Sequence, residues 1–291
     1  MPYWASELVN LVLRWVHVVA AILWLGQTAL FTWLETRLRV EAEGSGTARG
    51  REVWMVHGGG FYRLEKLDWQ VPPKVLHWFK WESMLTLVSG SLLFVWIYWI
   101  GGILVPPDAE LSGLAAIGLS LAAFFVAWLV YDRLWASPLG RRPWLAAAIG
   151  FALLVGLAWG LGRVFTGRGT FLQVGAVLGT IMVLNVWERI LPAMRAAVAA
   201  AREGREVGAD VRARAGRAAE RSRHNTFLAF PVVFLMLSTH YPVTTYGHRL
   251  GWAVLGAGVV AGAGARWLLN RHEARPMAAR RALPAGGGPD R

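Results

Sequence analysis

The chain has 291 residues, of which 55% are hydrophobic and 16% charged, with a formal net charge of +12 and no cysteine. Ordinary soluble domains carry about a quarter charged residues, so this composition excludes that class; the missing cysteine excludes disulfides, iron–sulfur clusters and covalently attached c-type haem. The apolar residues fall in continuous blocks of about 20, long enough to cross ~30 Å of hydrocarbon at ~1.5 Å per residue, and the positive charge then reads as helix orientation, with no call for nucleic acid.

In chain order, the blocks predict helices over 8–36, 76–100, 111–132, 144–162, 170–194, 225–241 and 249–270. Backbone groups in lipid must be satisfied within the segment, which makes such blocks helices. The breaks carry turn residues: Pro72-Pro73, Pro106-Pro107, Pro138 to Pro143, and Gly167 to Gly169. The first block lacks a basic leader and a small-residue cleavage site, so it is expected to be a retained helix. The segment 195–223, rich in Ala, Arg and Glu, is expected to be helical, extending the fifth helix outside the bilayer as a solvated charged surface. The expected fold is an all-α integral membrane protein of about seven transmembrane helices, one membrane domain over 1–272, followed by a tail at 273–291 that reads as disordered.

Orientation follows from counting Lys and Arg. With the N-terminus outside, the inside segments 37–75, 133–143, 190–223 and 266–291 hold 24 of the 30 basic residues, and the outside segments hold 3. This places the C-terminus in the cytoplasm. Many of the 17 Trp lie at block ends, where amphipathic rings sit at the headgroup level.

Ionisable residues inside a membrane are costly and mark function by default. His17 lies within the first helix toward the outer face, one turn after Arg14. His77 opens the second helix at the inner face, near Lys80 and Glu82. His224 opens the sixth helix and His240 closes it, roughly 24 Å apart along the axis. Sorted by depth, His17 and His240 form an outer pair, and His77 and His224 an inner pair. Two imidazoles from different helices can clamp a haem iron from both sides; the bland alternative is an interfacial side chain at a helix end. Arg14 suits a haem propionate or the outer headgroups. Glu188-Arg189 reads as a local ion pair, and Asn185 as an interhelical hydrogen bond. The Gly-rich run from His57 through Gly58 and Gly59 to Gly60, then Phe61, Tyr62 and Arg63, permits a backbone loop to close over a ligand.

Several of these runs resemble the bacterial membrane-bound urate oxidases (urate hydroxylases). They are Arg14-Trp15-Val16-His17 followed by Ile22 to Gly26; His57 to Tyr62; Leu76-His77-Trp78-Phe79-Lys80-Trp81-Glu82; Asn185-Val186-Trp187; and Arg223-His224-Asn225-Thr226 with Pro231, Met236 and Ser238 to Pro242. The likeness covers about residues 5–270. It implies a membrane domain, then one more helix and a periplasmic cytochrome c, and oxidation of urate with electrons passed to that cytochrome. This chain stops after the seventh predicted helix and has no Cys-x-x-Cys-His.

The resulting expectation is a b-type haem protein of a bacterial inner (cytoplasmic) membrane, holding one or two haem b groups through His17, His240, His77 and His224. It oxidises urate or a related donor and passes electrons to a separate cytochrome c, a quinone or a larger respiratory complex. His57, Gly58, Gly59, Tyr62, Arg63 and Lys80 are the expected contacts for an anionic substrate or a haem propionate, with snorkelling or pairing with Glu82 the alternative for Lys80. Two other classes stay open: a non-catalytic haem-binding or structural subunit of a respiratory or photosynthetic complex, and an anion transporter.

Overall fold

The computed structural model describes residues 2–45, 52–67 and 75–274, with backbone alone for 41–45. Among these residues the chain forms seven helical rods and one hairpin. In order they are α1 (Tyr3–Ser45), β1 (Glu52–His57), β2 (Gly60–Glu65), α2 (Trp81–Phe94, continued as a π-helix to Ile100), α3 (Gly113–Ala136) and α4 (Pro143–Leu161). Next come α5 (Gly167–Leu184), which runs through a π-helical turn at Asn185–Ile190 into α6 (Leu191–Arg202), then α7 (Ala209–Ser238) and α8 (Gly251–Glu273). Six rods are long and apolar enough to cross a membrane: Tyr3–Val40, Trp81–Ile100, Gly113–Ala136, Pro143–Leu161, Gly167–Arg202 and Gly251–Glu273. The seventh, α7, joins an Arg-rich first half to an apolar second half, Phe227–Ser238, and that second half packs against α5 and α8.

The α5–α6 rod is the centre of the bundle. Its most apolar stretch is 72% buried, against 11–22% for the other five. Side chains on the outer rods that look exposed, such as Trp15, Ile22, Phe125 and Leu153, are the lipid-facing surface of a membrane bundle. Two apolar clusters stack along the axis. One joins Phe94, Tyr98, Phe171, Val174, Leu235 and Leu255 from α2, α5, α7 and α8. The other joins Trp24, Met182, Val183, Val186 and Ala229 from α1, α5, its π turn and α7.

Three hydroxyls of α1 are satisfied within their own helix. The hydroxyls of Thr28, Thr32 and Thr36 each donate to the carbonyl four residues back, at 2.7–2.9 Å, as a hydroxyl in lipid must. Ser112 caps α3 by accepting from the Ala115 amide at 3.2 Å, and Thr166 caps α5 by accepting from Gly169 at 2.9 Å.

The boundaries correct the sequence reading in four places. The first helix runs past its predicted limits at both ends. The second begins at Trp81, so His77 sits in the segment that precedes it. Residues 209–223 belong to α7, not to an extension of the fifth helix; only Leu191–Arg202 continues that rod, and the chain turns at Gly204, whose φ of 64° suits glycine. His224 therefore lies in mid-helix. The Gly-rich run is the turn of an antiparallel hairpin pairing His57 with Gly60 and Val53 with Leu64; Gly58 and Gly59 have φ of 59° and 82°, the double positive φ of a tight hairpin turn. Of the tail expected to be disordered, residues 275–291 lie outside the described residues.

Helices α7 and α8 approach through glycine. A Cβ on Gly262 would sit 2.8 Å from the Pro231 nitrogen, and one on Gly258 would overlap the Phe234 ring; Gly258 and Gly262 are four apart on one face. Gly264 meets nothing within 4 Å. Gly262→Leu should cost about 1–3 kcal/mol or more and lower the thermal unfolding temperature of the purified protein in detergent. Gly264→Leu should leave it unchanged.

Candidate functional site

In the half of the bundle nearer the N-terminus, His17 leans from α1 onto α2. Its Nδ1 lies 3.0 Å from the Thr86 carbonyl and 3.2 Å from Ser89 Oγ. The ring covers Gly90, where an added Cβ would stand 2.8 Å from His17 Cε1. A carbonyl can only accept, so Nδ1 carries the proton and Nε2 keeps its lone pair. His240 sits in the turn after α7 with an exposed side chain.

A contact between α1 and α7 sets the depth of both. Thr32 and Thr226 meet through their hydroxyls at 3.0 Å. The two helices run antiparallel, and counting outward from this contact puts His17 about 22 Å away and His240 about 21 Å away. By this count the two histidines stand at similar distances from the Thr32–Thr226 contact. Arg14, whose Nε donates to Asn10 at 2.7 Å, is at the same end, within electrostatic reach of the buried Tyr98 together with Arg168 and Tyr246.

The inner pair is not brought together. His224 faces α3: its ring centre is 4.0 Å from that of Trp135, and its Nδ1 is 2.8 Å from the Tyr131 hydroxyl. Thr226, two residues on and so about 200° round the helix, faces α1. His77 stacks edge-on against Phe79 at 4.5 Å, and Phe79 against Phe31 of α1 at 5.0 Å. The two imidazoles thus attach to different sides of α7.

His224 belongs instead to a buried polar network joining α3, the α5–α6 rod and α7. Asn185 donates to the Tyr131 hydroxyl and to Asn225 Oδ1, each at 2.9 Å, and Asn225 donates to the Met182 carbonyl. Beside them, Asp132 accepts from Arg221 at 3.0 Å and from Arg189 Nε at 2.9 Å, with Arg189 Nη2 on its other oxygen. The interhelical role expected of Asn185 is present. Arg189, expected to pair with its neighbour Glu188, reaches across to Asp132 instead. Asp132 and Arg221 escaped the sequence reading. The signal was there: Asp132 is the last residue of a predicted span, and a carboxylate at that depth needs a cation.

The remaining predicted contacts separate. On the hairpin, Arg63 is held by Glu52 at 3.5 Å and Glu65 at 3.9 Å. His57 and Tyr62 are exposed, and so are Gly58 and Gly59 in the turn between the strands. Glu82 accepts from Gln27 at 3.1 Å. Lys80 lines a cleft with Trp78, Arg195, Arg202 and Glu203; of these, sequence reading had singled out Lys80 alone.

Asp132→Ala would strand the buried Arg221 guanidinium, at a cost of about 3–5 kcal/mol. The double variant Asp132→Ala/Arg221→Met should recover much of that loss, as read by thermal unfolding in detergent.

A family model described as Urate oxidase N-terminal matches residues 3–285. No curated protein and no solved structure matches the chain. The family match spans all seven rods, the hairpin, the outer histidines and the buried network: the chain belongs to the Urate oxidase N-terminal family.

Proposed function

We propose that this membrane protein is a urate-oxidising electron carrier, taking electrons from urate at its basic end and delivering them at the opposite end through a b-type haem held by His17 and His240. The observation that carries this reading is the fixed imidazole of His17. With Nδ1–H committed to the Thr86 carbonyl, the ring offers Nε2, the arrangement a metal-ligating histidine needs. The absence of a side chain at Gly90 leaves room for that ring.

His240 offers a second imidazole from another helix at equal depth. Ala20, 1% exposed, and Ala21 keep the wall beside His17 flat, and Arg14 and Arg168 supply positive charge for two propionates. When bound, the haem supplies reversible one-electron transfer. His77 and His224 do not fit a second haem, because they attach to different sides of α7. The excess of Arg and Lys in the segments 37–75, 133–143, 190–223 and 266–291 supports an N-terminus outside a bacterial inner membrane. The electrons then emerge on the outer side, toward a separate cytochrome c, a quinone or a respiratory complex.

A reduced-minus-oxidised spectrum of the purified protein tests the reading. The wild type should show a b-type α band, and anaerobic urate alone should produce it. His17→Ala and His240→Ala should lose the band, and His77→Ala should keep it. Gly90→Val, which pushes the His17 ring off its carbonyl, should weaken haem retention about tenfold or more. A cofactor-replete wild type without a Soret band, or full haem content in both His17→Ala and His240→Ala, overturns the assignment.

A further inference from the structure

We propose that the cleft between α6 and the segment preceding α2 binds a small, soluble, planar anion. Its volume is about 410 Å³, within the usual range of small-ligand sites. Val198 and Ala199 give it an apolar floor, Trp78 an aromatic wall, and Lys80, Arg195 and Arg202 a cationic rim.

The rim carries three cations and one carboxylate, Glu203. Among the described residues, none of Lys80, Arg195 and Arg202 has a carboxylate within ion-pair distance, whereas Arg189 and Arg221 hold Asp132, Arg212 holds Glu206, and Arg214 holds Asp210. The one acid in the cleft, Glu203, is taken by Arg205. Lys80 is steadied from behind, its ammonium 4.9 Å from the Trp81 ring and 5.7 Å from Trp187. Three cations around an empty apolar floor form a receptor for negative charge.

Depth decides between a lipid phosphate and a soluble ligand. Counted from Gly167, where the central rod begins, Arg195 stands about 42 Å along it and Arg202 about 52 Å. Hydrocarbon and headgroups together span about 40–45 Å. With Gly167 set at the outer headgroups and the rod along the membrane normal, Arg195 falls at the inner headgroup edge and Arg202 beyond it. Two guanidiniums with an indole beside them suit a flat, delocalised anion, which stacks and accepts bidentate hydrogen bonds, better than a compact one. Identifying that anion as urate rests on the oxidoreductase reading above; the anion site does not.

Equilibrium dialysis of labelled urate against the full-length protein in detergent tests this. Wild type should bind urate, while Arg195→Gln and Arg202→Gln should each weaken binding about tenfold and Arg63→Gln should not. Both substituted residues are exposed, and unchanged thermal unfolding confirms intact folds. Neutral hypoxanthine, inorganic phosphate and phosphatidylglycerol should each displace urate poorly. Equal urate affinity in both arginine variants overturns the site. Displacement by phosphate or by phosphatidylglycerol at concentrations matching urate overturns the planar, soluble ligand. Urate binding that follows the arginine variants without any haem reduction keeps the site and removes the oxidase reading.

Discussion

One carboxylate at the basic end of the bundle holds three rods together. Asp132 on α3 accepts from Arg189 on the central rod and from Arg221 on α7. Arg221 and Asp132 are both nearly inaccessible, so neither charge has water to fall back on, and each is tolerable there only because the other is present. The helices must therefore meet with these residues level. The same level holds Tyr131, Asn185, Asn225 and His224 within hydrogen-bonding distance. Asn185 and Arg189 lie in the one π-helical turn of the central rod. Such turns are rare and frequently accompany functional positions; here the turn presents an amide and a guanidinium to the same neighbouring helix.

The opposite half is organised by contacts of a different kind. His17 is fixed by a backbone carbonyl and by the absence of a side chain at Gly90. The carbonyl fixes which ring nitrogen carries the proton, because it can only accept. The bundle thus has one end tied by a buried ion-pair network and another where His17 is held by a carbonyl and a glycine. A protein that moves electrons across a bilayer needs that division: water-soluble chemistry at one face and a low-dielectric cofactor environment within.

Helix α7 connects the two. Its first half carries paired arginines in the solvated region, its middle enters the network, and its apolar end packs on α8 through Pro231 against Gly262. Proline has no amide hydrogen to donate, and a glycine on the facing helix lets the backbones close over that point. Because α7 is half polar along its length, only its apolar half, within the predicted 225–241 block, reads as a span, and that half packs against α5 and α8.

The sequence by itself determined the number of rods, their approximate limits and the asymmetry of charge, because these depend on residue type counted along the chain: apolar blocks exclude water, and arginine avoids hydrocarbon. It also marked His17 and Asn185, since a polar group deep in an apolar block is visible as an exception. Partnership was decided by the tertiary structure. Arg189 sits beside Glu188 in sequence yet pairs with Asp132, because a helix places adjacent residues about 100° apart and the facing rod supplies the carboxylate. His77 and His224 share a depth, and depth was all that spacing conveyed; rotation about the helix axis, set by packing, turns them apart. The hairpin's Arg63 lost its candidacy to cross-strand glutamates, and the cations of α6 gained theirs because the chain segment before α2 folds against them. Depth follows from linear position, while direction requires the packed bundle.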